Sequence, residues 1–106
     1  MPDPSPARSE PGLDVAPRPL LKRPPLYQVI LHNDDYTTQE FVVLILKTVF
    51  RKPEPEAMQI MLSVHRSGKG IAGVYPYDVA ATKLEQARAL AESQGFPLLC
   101  TLEPEA

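Results

Sequence analysis

The chemistry-bearing residues of this 106-residue chain crowd into one polar stretch, His32-Asn33-Asp34-Asp35-Tyr36-Thr37-Thr38. Two adjacent carboxylates stand beside an amide and two hydroxyls, with no Lys or Arg next to them. Asn and Asp close turns by bonding their own backbone. Acidic groups favour a helix N-terminus, and Thr37-x-x-Glu40 has the spacing of a capping box. One carboxylate suffices for that role. The second leaves room for a site that holds something positive or rich in donors. On these residues alone both readings stand.

His65 is the other informative residue. It shares a helical face with Ala57, Met61 and Val64, with Met58 and Leu62 broadening it. A histidine there is either a satisfied core residue or a group facing a groove. Its meaning depends on whether the fold brings it beside Asn33 and Asp34. A metal-dependent hydrolase built on His32, Asp34, Asp35 and His65 is the rival reading. No recognised ligand spacing supports it, so neither metal nor other cofactor is expected. Nucleophilic catalysis has no support either. The chain has no phosphate-binding loop, nucleophile elbow or Cys-x-x-Cys. The lone Cys100 lies in an apolar run and reads as core. Ser63 and Ser67 flank His65 at helical positions that point apart. No catalytic residue is therefore expected. Asp78 and Lys83 bracket the first turns of a helix and read, as residues, as solvated surface.

These groups need elements to position them. Leu26 to His32 alternates, with Tyr27, Val29 and Leu31 on one face, and predicts a strand. Thr37 or Thr38 caps a helix running to about Phe50. Its interior, Phe41 to Leu46, is apolar nearly all round, so burial on more than one side is expected. Arg51-Lys52 should close its last turn and Pro53 end it. A second helix begins near Glu54-Pro55-Glu56 and stops at Gly68. Lys69 to Tyr75 predicts a strand whose glycines suggest a bulge or close approach. Pro76 opens a third helix, with Val79, Ala80, Leu84, Ala87 and Ala91 at helical spacing. Gly95 and Pro97 end it, and Leu98 to Leu102 forms a closing strand. The class is α+β in the order β-α-α-β-α-β, a three-stranded antiparallel sheet covered by three helices.

Eight of the thirteen prolines stand between Pro2 and Pro25. Residues 1–24 are therefore expected to be a disordered, proline-rich extension, and 25–106 the folded domain. Net charge is −2 and offers no basic face for nucleic acid. No apolar run approaches ~18 residues, so no membrane span is expected. A single Cys and no signal-peptide core point to the cytoplasm.

Taken together, the stretches resemble ClpS, the adaptor of the bacterial Clp AAA+ unfoldase–protease system. The likeness rests on Pro24 to Leu31 running into Asn33-Asp34-Asp35-Tyr36-Thr37, and on Glu40-Phe41-Val42. It continues in Ile60-Met61-Leu62-Ser63-Val64-His65, Gly68-Lys69 and Gly73-Val74-Tyr75. It ends in Asp78 to Lys83 and Pro97 to Glu103. The resemblance implies an adaptor with no chemistry of its own, working as a monomer. It would bind N-degron substrates that begin with Leu, Phe, Tyr or Trp. It would then deliver them, through the N-terminal domain of a ClpA-type unfoldase, to ClpP. The implied amine clamp is Asn33, Asp34 and His65. The implied side-chain pocket is Leu31, Thr37, Gln39, Val42, Met61, Val64 and Leu98. The implied unfoldase-docking residues are Tyr36, Asp78 and Lys83, which replaces the solvated-surface reading of the last two. The family usually has Pro-Met where this chain has Thr38-Gln39, and Gln39 brings a polar amide to the pocket rim. Asp78 stands where Glu is commoner. Some bacteria carry a second, divergent member, and these departures fit one. A plain interaction module is a further reading, since the family's fold resembles the C-terminal domain of the ribosomal stalk protein.

Overall fold

The structure, a computed structural model, describes residues 24–105. The expected proline-rich extension lies outside them but for its last residue. The elements are β1 (Leu26–His32), α1 (Gln39–Thr48), α2 (Glu54–Ser67), β2 (Lys69–Pro76), α3 (Tyr77–Ser93) and β3 (Leu99–Pro104). The order β-α-α-β-α-β and the three-stranded antiparallel sheet are as the sequence predicts. β1 lies in the middle, in the order β2-β1-β3. That place suits the most apolar strand, because its backbone is paired on both sides. β2 begins with Lys69 and ends with Pro76, and β3 ends with Pro104, which are residues that edge strands tolerate.

Val29 and Leu31 point from β1 into a single core that also takes Ala72 and Cys100 from the outer strands. Phe41, Val42, Ile45 and Leu46 close it from α1, and Ala57, Met61 and Val64 from α2. Ala80, Ala87 and Ala91 of α3 are essentially fully buried, so α3 approaches the sheet closely. The glycines of β2 do what their positions predict. The β1–β2 register shifts between Val29 and Ile30, leaving Ala72 as the extra residue beside Gly73. A Cβ on Gly70 would meet Val64 Cγ2 at 2.9 Å and the Ile60 carbonyl at 3.1 Å, so α2 is seated directly on this backbone.

Four sequence expectations are corrected. The cap of α1 is Thr38, whose hydroxyl accepts from the Phe41 amide at 3.1 Å. Thr37 is instead bonded to Asp34, so the Thr37–Glu40 capping box does not form. Next, α1 stops at Thr48 rather than near Phe50, and Arg51 and Lys52 fall beyond it. Val49 and Phe50 are buried, and the chain turns at Arg51 in a left-handed conformation, φ 56°. Burying Phe50 pulls the backbone off the helical path before the basic pair is reached. Third, α1 is buried on one broad side, that of Phe41, Val42, Ile45 and Leu46, rather than on more than one, and Leu44 is 47% exposed. Fourth, Val79 is 44% exposed and leaves the buried face of α3 to alanines.

Candidate functional site

β1 ends at the polar stretch, and one backbone bond decides what that stretch faces. Gly68 caps α2 in the left-handed conformation, φ 92°, which glycine adopts without steric cost. Its carbonyl accepts from the Asn33 amide at 2.9 Å. The β1–β2 ladder, ending at His32 and Lys69, is thereby extended by one rung. The last turn of α2, with His65, is brought against the loop that carries Asn33 and Asp34.

The loop is built on Asp34. One carboxylate oxygen, Oδ1, accepts from the backbone amides of Tyr36 and Thr37, each at 2.7 Å. The other, Oδ2, accepts from the Thr37 hydroxyl at 2.7 Å. Partial burial works to raise the pKa of this carboxyl. The hydroxyl and the two amides outweigh that, so it lies below the ordinary 3.8. Each carboxylate oxygen has two acceptor directions, so Oδ2 keeps one free after the turn is satisfied. The turn reading and the site reading are therefore compatible: the same carboxylate closes the turn and still presents an acceptor.

Asn33, Asp34, Thr37, Gln39, Val42, Met61, Val64 and His65 all line one cavity of about 490 Å³ between this loop, α1 and α2. Asp35, Tyr36, Thr38 and Glu40 complete its wall. Asn33 and His65 are exposed at the rim, whereas Val42, Met61 and Val64 are buried at its floor. His65 thus sits on the rim rather than in the core that its helical spacing suggested. No Lys or Arg lines the cavity. Leu31 and Leu98 do not reach it; they are buried in the core, at 0% and 5% exposure. Tyr36 projects into solvent at 74% exposure. Asp78 and Lys83 line a separate shallow hollow on α3. The Lys83 ammonium donates to the Val49 carbonyl at 2.9 Å and lies 5.5 Å from the Tyr75 ring centroid. Asp35 and Glu40, read from the sequence as a second carboxylate and as half of a capping box, are both part of the cavity wall.

The metal reading does not fit this arrangement. Strand alternation sends His32 to the face opposite Leu31, where its ring bonds the Thr101 hydroxyl at 2.8 Å. Among the described residues no three His, Cys, Asp or Glu side chains gather as a metal site would require. Cys100 is buried in the core, and burial pushes its thiol up to about 11 against the weaker opposing effect of Arg88, so it is protonated at neutral pH. A second cavity of about 400 Å³ lies across the molecule, lined by Gln28, Ile30, Ile60 and Ile71 among others. Its wall is mainly apolar, and only Lys69 and Glu103 bring charge to it, with opposite signs. The chemistry therefore lies in the cavity between loop, α1 and α2. None of the described helices is long and apolar enough to cross a membrane.

A small α+β domain with acceptors around an apolar floor, and no nucleophile or metal cluster beside it among the described residues, has the makings of a binding module. Its relatives agree. The family model described as ATP-dependent Clp protease adaptor protein ClpS matches residues 22–101, and the chain belongs to this adaptor family. It is 58% identical over 92 residues to the ATP-dependent Clp protease adapter protein ClpS of Myxococcus xanthus, covering 87% of this chain and 86% of that one. It is 54% identical over 94 residues to the ClpS of Desulfatibacillum aliphaticivorans, covering 87% and 90%. Among solved structures it is similar to Agrobacterium tumefaciens ClpS2 bound to L-phenylalaninamide. There the TM-score is 0.75 and the identity 47%, over 78% of this chain and all of that one. Adaptors of this family are not enzymes.

Proposed function

We propose that the cavity is an N-degron site: it holds the free α-amino group and bulky first side chain of a substrate, for delivery to a ClpA-type unfoldase. The observation that carries the reading is the meeting of Asn33, Asp34 and His65 on the rim of a cavity floored by Val42, Met61 and Val64. An α-amino group has an ordinary pKa near ~7.7–8 and is largely cationic at pH 7. Its three protons need three acceptors. The Asn33 amide oxygen, the free direction on Asp34 Oδ2 and a neutral His65 ring nitrogen are suitable ones. The Agrobacterium protein's ligand, L-phenylalaninamide, carries the same two elements, a free α-amine and an apolar side chain.

Magnitudes are consistent with useful affinity. Hydrogen bonds to a charged group are worth roughly 1.5–3 kcal/mol each. Burying a Leu- or Phe-sized side chain contributes roughly 1.5–3 kcal/mol more. After the cost of association, a micromolar complex is a reasonable outcome. Docking of the unfoldase's N-terminal domain falls to Tyr36, Asp78 and Lys83. The protein acts as a monomer in the cytoplasm. The core positions of Leu31 and Leu98 make them a backing to the pocket wall, while Gln39 stands at its mouth.

Labelled peptides differing only in residue one test this by fluorescence anisotropy. Leu, Phe, Tyr and Trp should bind, and acetylated Leu should not. Affinity should also fall as pH rises past about 8, because the free peptide loses the proton that the clamp needs. Equal binding of free and acetylated peptides would sink the proposal.

A further inference from the structure

Among the described residues, His65 is the one side chain in the cavity wall that can become cationic, since no Lys or Arg lines it. The charged groups that share the wall are all acidic: Asp34 and Asp35 from the loop and Glu40 from α1. Tyr36 is the remaining titratable side chain there. The cations nearest His65 in the chain do not join them. Arg66 is outside the lining, and Lys69 lines the cavity across the molecule. His65 is exposed at the rim, so its ring exchanges protons freely with solvent. The chain's other histidine, His32, lies on the opposite face of the sheet, where its ring bonds the Thr101 hydroxyl at 2.8 Å.

We infer that the site is gated by a proton at His65: when this ring takes up a proton the substrate's amine is released, so binding has an acid limit as well as an alkaline one. The inference rests on the proposed function and deepens it with a means of regulation. A neutral imidazole offers one lone pair, whereas an imidazolium has two donors and no acceptor. Protonation therefore takes one of three acceptors from the ammonium. It also sets a positive charge beside the substrate's own, and the two repel. The carboxylates that attract the ammonium attract the proton as well, so two cations compete for one acidic cavity. Imidazole is the side chain that ordinarily changes charge between pH 5 and 8. Asp34 does not titrate in that range, because its carboxyl lies below the ordinary 3.8. The substrate's amine follows the opposite trend, gaining protons as pH falls from 7.5 to 5.5. That gain strengthens binding by less than about twofold, so a loss of affinity over this range belongs to the protein.

The test uses the full-length protein and a labelled peptide amide beginning Phe-Gly, whose α-amine is its only group titrating near neutrality, read by anisotropy from pH 7.5 to 5.5. Below its midpoint an imidazole loses up to about tenfold of its neutral form per pH unit, so affinity should fall about threefold to tenfold by pH 5.5. His65→Gln keeps an acceptor that does not titrate. It should bind more weakly at pH 7.5 but lose no further affinity on acidification. NMR titration of the His65 ring in the unsubstituted protein needs no variant, and it decides alone if His65→Gln does not bind. Saturating peptide should move that titration to lower pH by about half a unit to one unit, the reciprocal of the loss in affinity. Three results overturn the inference: affinity that holds or rises down to pH 5.5, an acid loss that persists in His65→Gln, or a ring titration that ignores the peptide. An N-acetylated copy of the peptide separates the two ideas. If acetylation abolishes binding while any of those results is seen, the gate is wrong and the first-residue site stands. If acetylation has no effect, both fall.

Discussion

Asp34 closes a turn and also belongs to the proposed amine clamp. Three donors within the loop hold its carboxylate, and a fourth acceptor direction remains open. Asp34→Ala removes both functions, and peptide affinity should fall about tenfold to a hundredfold, the equivalent of one charged hydrogen bond. Thr37→Val removes only the hydroxyl bond and keeps the carboxylate. It should cost several-fold less affinity, as measured by the same anisotropy titration. The pH dependence has a definite sign. Because the folded pKa of Asp34 is depressed, its contribution to stability is present above 3.8 and is lost as pH falls through the still lower folded value. Denaturant midpoints taken from pH 6 downward should therefore fall less steeply in the low-pH range for Asp34→Ala than for the unsubstituted protein. Parallel curves would show that the turn contributes nothing.

At the scale of the element, the start of α1 and the end of α2 decide the site. Thr38 satisfies one orphan amide of α1, whose first residue is the rim residue Gln39. Thr38→Ala should cost about 1 kcal/mol of stability, read from urea denaturation, with Thr38→Ser restoring most of it. Gly68 matters for position rather than for bonding chemistry. Its left-handed conformation turns the chain so that its carbonyl meets Asn33, and no neighbour lies within 4 Å of a Cβ placed there. Any penalty of Gly68→Ala therefore belongs to the backbone conformation alone. Both caps were legible in the sequence as types of residue. The choice between Thr37 and Thr38 was not, because it depends on which hydroxyl Asp34 claims.

At the scale of the molecule, the proposed substrate cavity and the α3 hollow are separate surfaces of one small domain. Asp78→Ala should reduce unfoldase-dependent degradation of an N-degron reporter while peptide affinity in anisotropy is retained, since Asp78 lines only the α3 hollow. A parallel fall in peptide affinity would refute this division of labour. Lys83 is a less clean probe. Its ammonium also ties α3 to the end of α1 through the Val49 carbonyl, so its loss combines docking with packing. The sequence placed Lys83 on a helix surface but held no sign of that bond, which spans 34 residues of chain.

The sequence by itself determined the element order, most of the strand and helix faces, and the residue types of the proposed clamp. Alternation, helical spacing, prolines and glycines act locally, over a few residues, and local rules suffice to read them. The tertiary structure decided which of those groups meet. His65 could have been a core histidine, and His32 stood beside Asp34, Asp35 and His65 in the rival metal reading. The rung between Asn33 and Gly68 settles the first question, and the alternation of β1 settles the second. Likewise Leu31 and Leu98 are buried in the core and do not line the cavity, whereas Val42, Met61 and Val64 do. Which side chains meet there is set by contacts between residues far apart in the chain, and no local pattern encodes it.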